Sequence, residues 1–215
     1  MEKLYFMKKN NKNNEIIPPI PKKKHLGLNL GCGFVKFNEQ QEINFISLDI
    51  DPVVKPDIVR DVLQGLPFDD EKFDVVVCHH FLEHFAGESF VFIINECHRV
   101  LKSNGELVIY SPYYKHFGAW TDPHHKFFFR EESLEAWFFP SNSSYSMGIK
   151  GFFYPVTIKN VEDKEMRFTL RKVNNAHLKS YVEQVGTPKK KDGGQTTYET
   201  PNFFDLIKNN YGKHE

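Results

Sequence analysis

Two groups of residues in this 215-residue chain have the types and spacing for chemistry. The first is the run Leu28-Asn29-Leu30-Gly31-Cys32-Gly33, followed at Ile46-Ser47-Leu48-Asp49 by a second apolar run that closes on a carboxylate. An apolar run ending in glycines marks a buried strand leaving a sheet through a turn tight enough for a ligand to approach main-chain atoms. A carboxylate at the end of the next strand accepts both hydroxyls of a ribose diol, so the pair reads as one nucleoside-cofactor site. The second group is histidine-rich: Cys78-His79-His80-Phe81-Leu82-Glu83-His84-Phe85, with a further cluster at Asp122-Pro123-His124-His125. An imidazole takes a proton from a hydroxyl or amine near neutral pH, which makes His80 and His84 candidate general bases. The competing reading is that Glu83 and His84 cap and orient their loop.

These residues need a sheet to hold them. Strands are expected near 26–30, 44–49, 57–59, 73–78 and 106–111. A helix is expected over about 88–102, because Phe90, Ile93, Ile94, Cys97, Val100 and Leu101 recur at helical spacing. Ser103-Asn104-Gly105 supplies its stop, with the next strand starting directly after that turn. This alternation predicts a mostly parallel sheet covered by helices, with the histidine loop at the carboxyl end of its fourth strand, where ligands of open α/β sheets bind. Beyond Lys115 the expectation is an aromatic loop, a helix over Glu131–Phe138, and β-rich stretches near 152–159 and 165–173 that pair as an antiparallel hairpin at the sheet edge. Residues 1–24, with Pro18, Pro19, Pro21 and the Lys22–Lys24 run, read as a basic arm. Residues 25–175 read as the single domain, and 176–215 as a linker and tail with a short helix near Phe203–Ile207.

Composition narrows the partners. Lysine plus arginine and aspartate plus glutamate stand at 28 each, so no global field favours nucleic acid or an anionic membrane. Cys32, Cys78 and Cys97 are odd in number, lie in apolar surroundings and show no Cys-x-x-Cys spacing, as buried thiols of a reducing cytoplasm would. No apolar run approaches the roughly 18 residues that span a bilayer, and the expectation is a soluble cytoplasmic protein.

With these segments in order, the sequence resembles the class I S-adenosylmethionine-dependent methyltransferases. Leu28–Gly33 is similar to their glycine motif, Ser47–Asp51 to the ribose-binding strand end, Asp61-Val62-Leu63 with Leu66-Pro67-Phe68 to the adenine-side loop, and Phe73–Phe85 to the fourth strand and its loop. The resemblance implies a Rossmann-like, doubly wound, mostly parallel α/β sheet with an antiparallel edge hairpin. It implies S-adenosylmethionine as cofactor, held by Gly31, Cys32, Gly33, Asp49, Ile50, Asp61, Val62 and His79. Val35 stands where a third glycine is common and Asn29 where an acid is frequent. A dinucleotide site is disfavoured, because the turn lacks the third glycine that lets a helix approach a pyrophosphate.

The expected reaction is methylation of an oxygen or nitrogen on a small-molecule or sugar acceptor, with His80 and His84 as catalytic candidates. The alternatives are an RNA 2′-O-methyltransferase and a noncatalytic protein that uses Tyr113, Tyr114, Phe117 and Trp120 as a partner surface. Glu83, His84 and His125, with His80, also resemble the metal-binding arrangement of methyltransferases acting on the 2′-hydroxyl at small-RNA 3′ ends, though His80 stands where those have a glutamate.

Overall fold

Apolar alternation builds the sheet much as the sequence predicts. The protein is described as a computed structural model covering residues 25–37, 43–130, 133, 138, 146–173, 189–190 and 196–197. Its strands are β1 (His25–Leu30), β2 (Ile43–Asp49), β3 (Ile58–Val59), β4 (Phe73–His79), β5 (Leu101–Pro112), β6 (Phe153–Val161) and β7 (Glu165–Lys172). They form a seven-stranded sheet in the order β3-β2-β1-β4-β5-β7-β6. Strands β1 to β5 pair in parallel, while β7 runs antiparallel to both β5 and β6, which gives the expected edge hairpin. A separate short pair joins β8 (Lys189–Lys190) to β9 (Thr196–Thr197). The expected helices over 131–138 and 203–207 and the 1–24 arm lie outside the described residues, apart from Ser133 and Phe138; of the 176–215 linker and tail, only β8 and β9 are described.

Helix α1 (Gly87–Val100) links β4 to β5 and buries Phe90, Ile93, Ile94, Cys97 and Val100. These pack with Leu28, Leu30, Val76, Cys78, Leu107 and Ile109, whose register places them on one face of the sheet. All three cysteines are buried thiols. The fifth strand corrects one expectation: it begins at Leu101, directly after the helix, and not at residue 106. Leu101 pairs with Phe73 and Glu106 with Val75, so Lys102–Gly105 bulges out of the ladder with Asn104 at φ +64°. The turn residues were legible; that the strand continues on both sides of them was not.

Ion pairs close the amino end of the sheet. Arg99 donates to Glu96 through Nε and Nη2, to Asp70 and the Phe68 carbonyl through Nη1, and to the Leu66 carbonyl through Nη2. Lys102 pairs with Asp74 at 2.7 Å, and the nearly buried Lys172 donates to the Leu101 carbonyl. No described helix is long and apolar enough to cross a membrane.

Candidate cofactor site and histidine loop

At the carboxyl end of β1 the chain turns through Gly31 at φ +64° and Gly33 at φ +49°, a region that side chains with a Cβ occupy at a cost. The turn is pinned to the neighbouring strand: the Gly31 and Cys32 N–H groups donate to the Leu48 carbonyl, and the Gly33 N–H donates to Asp49 Oδ2 at 2.8 Å. Asp49 Oδ1 accepts from the Asp51 N–H at 3.0 Å. An ionised carboxylate has about four acceptor sites, so Asp49 holds the turn and keeps capacity for two further donors. Asp61 caps a 3-10 turn over Val62–Gln64 by accepting from the Leu63 N–H.

The histidine loop starts where β4 ends. In a strand, successive side chains face opposite sides, but His80 adopts φ +49°, and its ring lies 4.6 Å from that of His79. His80 Nδ1 is 3.3 Å from Glu83 Oε1 and its Nε2 is 3.1 Å from Glu165 Oε2. Those carboxylates, Glu83 foremost, raise its pKa. Burial pulls His79 the other way and favours its neutral form. Glu83 is 1% exposed, and its Oε2 is buried without a hydrogen-bond partner.

The second histidine cluster folds back onto this loop. The Glu83 carbonyl accepts from the N–H groups of Lys126 and Phe127. That anchor brings the His125 ring to 4.9 Å from His84. Each of Glu83, His84 and His125 offers a ligand atom within 4.8 Å of the others. His125 Nδ1 lies 3.0 Å from the Ala119 carbonyl, which fixes the proton there and leaves the lone pair on Nε2, 3.8 Å from Asp122 Oδ2. His124 points away: it bonds Asp122 and is largely exposed.

Residues 28–109 match the family model described as a methyltransferase domain. The uncharacterized protein MJ0638 of Methanocaldococcus jannaschii is 36% identical over 96 residues, which cover 41% of this chain and 41% of that one. The chain thus spans well under half the length of this curated relative. A SAM-dependent methyltransferase from Archaeoglobus fulgidus shares the fold at a TM-score of 0.50 and 19% identity, covering 70% of this chain and 87% of its own. So does the 1,6-didemethyltoxoflavin-N1-methyltransferase of Burkholderia thailandensis, with bound 1,6-didemethyltoxoflavin and S-adenosylhomocysteine, at a TM-score of 0.50, 14% identity and coverages of 71% and 72%. Over residues 28–109, less than half of the chain, the sequence is similar to a methyltransferase domain, and the sheet has the Rossmann-like fold of these methyltransferases.

The residues around the glycine turn suit S-adenosylmethionine. A Cβ built on Gly33 meets nothing within 4 Å, which leaves room beside the turn. Asn29 is 1% exposed; its Nδ2 holds the Val35 carbonyl, and its Oδ1 is buried without a partner at the end of β1. A buried amide oxygen in that state is costly and suits a cationic donor such as an ammonium group. Ile50 and Leu63 present exposed apolar surface on the Asp49 and Asp61 side. The side chains of Cys32 and Val62 are buried, so these two residues have main chain to offer a ligand. The His79 ring is turned towards Phe37, Tyr110 and His80. Sequence reasoning missed Glu165. As an ordinary acid in a predicted edge strand it carries no local signal, yet the antiparallel register sets it opposite Pro112, at the histidine end.

Proposed function

We propose that this domain methylates an oxygen or nitrogen of a small-molecule or sugar acceptor, using the histidine loop as the reaction centre. One contact supports this reading above all: Phe81, inside the histidine loop, lies over the glycine turn so closely that a Cβ on Gly31 would stand 1.9 Å from its ring. The glycine turn and the histidine loop therefore share one end of the sheet. When bound, S-adenosylmethionine supplies an electrophilic methyl group on a sulfonium. Asp49 holds the ribose hydroxyls, Asp61 accepts from the adenine amino group, and Ile50 and Leu63 flank the ring. Gly31, Cys32 and Gly33 set the turn, and Asn29 Oδ1 accepts from the ammonium of the methionine portion.

Alignment of the acceptor supplies much of the acceleration. His84 accepts the acceptor's proton. His80, with both ring nitrogens against carboxylates, orients Glu83 and the loop. Phe117 and Trp120, both exposed, face the acceptor side, and Trp120 is held by stacking on Phe128 at 3.9 Å.

The unpartnered Oε2 of Glu83 favours a second reading, in which Glu83, His84 and His125 hold a divalent ion and the acceptor is a ribose 2′-hydroxyl of RNA. Such an ion would supply a Lewis acid beside the acceptor.

Calorimetric titration with S-adenosylmethionine and S-adenosylhomocysteine, on wild type and Asp49→Ala, with and without a chelator, tests both. Wild type is expected to bind, and folded Asp49→Ala to bind about 100-fold more weakly, as loss of a paired charged acceptor predicts. No binding by wild type overturns the methyltransferase reading. Binding or thermal stability that falls with chelator in wild type but not in His125→Ala selects the metal-assisted reading over the first. Cofactor binding without turnover on a broad acceptor panel selects a noncatalytic partner surface built on the aromatic loop.

A further inference from the structure

We propose that His79, His80 and Glu165 form a divalent-cation site of their own, distinct from the Glu83, His84 and His125 cluster and independent of the methyl-transfer reading. Each of the three offers a donor atom within 4.8 Å of the other two. Metal arms of about 2.1 Å set between a right and a tetrahedral angle place donor atoms about 3.0–3.4 Å apart. His80 Nε2 and Glu165 Oε2 stand at 3.1 Å.

Three further features match what a ligand set requires. The left-handed backbone at His80 breaks the strand's alternation, so two successive imidazoles converge when they would otherwise face opposite sides of the sheet. His80 has its other nitrogen, Nδ1, on Glu83 Oε1, the carboxylate–histidine arrangement that fixes tautomer and ring orientation in metal sites. Glu165 has Oε1 on the Arg167 guanidinium, which leaves Oε2 aimed at the histidines. The His80 side chain is 40% exposed, so a cation reaches the site from solvent and keeps open positions for water or an acceptor oxygen. Two imidazoles and one carboxylate suit zinc, cobalt, manganese or ferrous iron above magnesium or calcium.

The test is a titration of the full-length chain with Co2+ alone, without cofactor, read by calorimetry and by ligand-field absorption. His125→Ala removes the neighbouring cluster, and this variant is expected to retain one Co2+ site. Adding Glu165→Gln or His79→Ala to it is expected to weaken that site at least about 100-fold, since loss of a direct ligand exceeds the 10–100-fold cost of losing an outer partner. Circular dichroism establishes that each variant is folded, and the two second substitutions lie on different strands, so one stands in if the other unfolds. Absence of Co2+ binding by His125→Ala overturns the proposal, as does equal binding by His125→Ala and both double variants. Because no cofactor is present, neither result depends on whether S-adenosylmethionine binds.

Discussion

The two ends of the central sheet are built to opposite rules. At the amino end, Arg99 satisfies five acceptor contacts, Lys102 meets Asp74, and Lys172 meets the Leu101 carbonyl. At the carboxyl end, Asn29 Oδ1, Glu83 Oε2 and Ser111 Oγ are buried without partners. Matched polar groups stabilise a fold, whereas unmatched ones cost free energy and persist where a ligand completes them. The difference separates residues that hold the sheet from those that the proposed function assigns to ligands.

One residue runs against this division and gives the largest expected effect. His98, on α1 near the amino end, has a buried Nε2 without a partner, and burial pulls its pKa from 6.5 to about 4. The unfolded chain takes up this proton below about pH 6.5 while the folded protein stays neutral there until about pH 4. The stability is thus full above pH 6.5 and falls as pH drops through that window, by up to roughly 3 kcal/mol. Denaturant unfolding from pH 7.5 to 4 is expected to show the loss, and His98→Gln to flatten it. Identical curves for the two proteins would break the argument.

Arg99→Met sharpens the contrast from the stabilising side. It is expected to cost roughly 2 kcal/mol, allowing for screening of a side chain that is 30% exposed, while cofactor affinity stays within about twofold. A calorimetric loss of S-adenosylmethionine binding in the folded variant would mean that the two ends are coupled. The smallest effect has the opposite sign. Glu83→Gln keeps an oxygen for His80 and replaces the partnerless buried Oε2 by a neutral amide group, whose burial costs less than that of a carboxylate oxygen. Thermal unfolding is therefore expected to move upward by the equivalent of about 1 kcal/mol while methyl transfer falls. A lower melting temperature would show that the carboxylate is stabilising as it stands.

Local pattern made one side of the site readable. Glycines after an apolar run and an acid closing the next bring Gly31, Gly33 and Asp49 together as expected, since both features lie at single strand ends whose neighbours follow in parallel order. The histidine loop was legible in composition but not in arrangement. His84 and His125 meet because two backbone amides bond the Glu83 carbonyl, a tertiary contact with no sequence signature. Glu165 was hidden for the same reason: a reversed strand carries its first residue to the end of the sheet that parallel strands reach last. The early start of β5 was masked by a bulge that reads locally as a stop.

The ring of Phe81 over Gly31 also constrains how such a chain can diversify. One loop both fills the space above the cofactor turn and carries the histidines, so a larger residue at position 31 would displace the histidines along with the ring. A change in the glycine turn therefore carries the histidine loop with it. Freedom to meet a new acceptor, on the proposed reading, falls to the exposed Phe117 and Trp120, which belong to neither the turn nor the histidine loop.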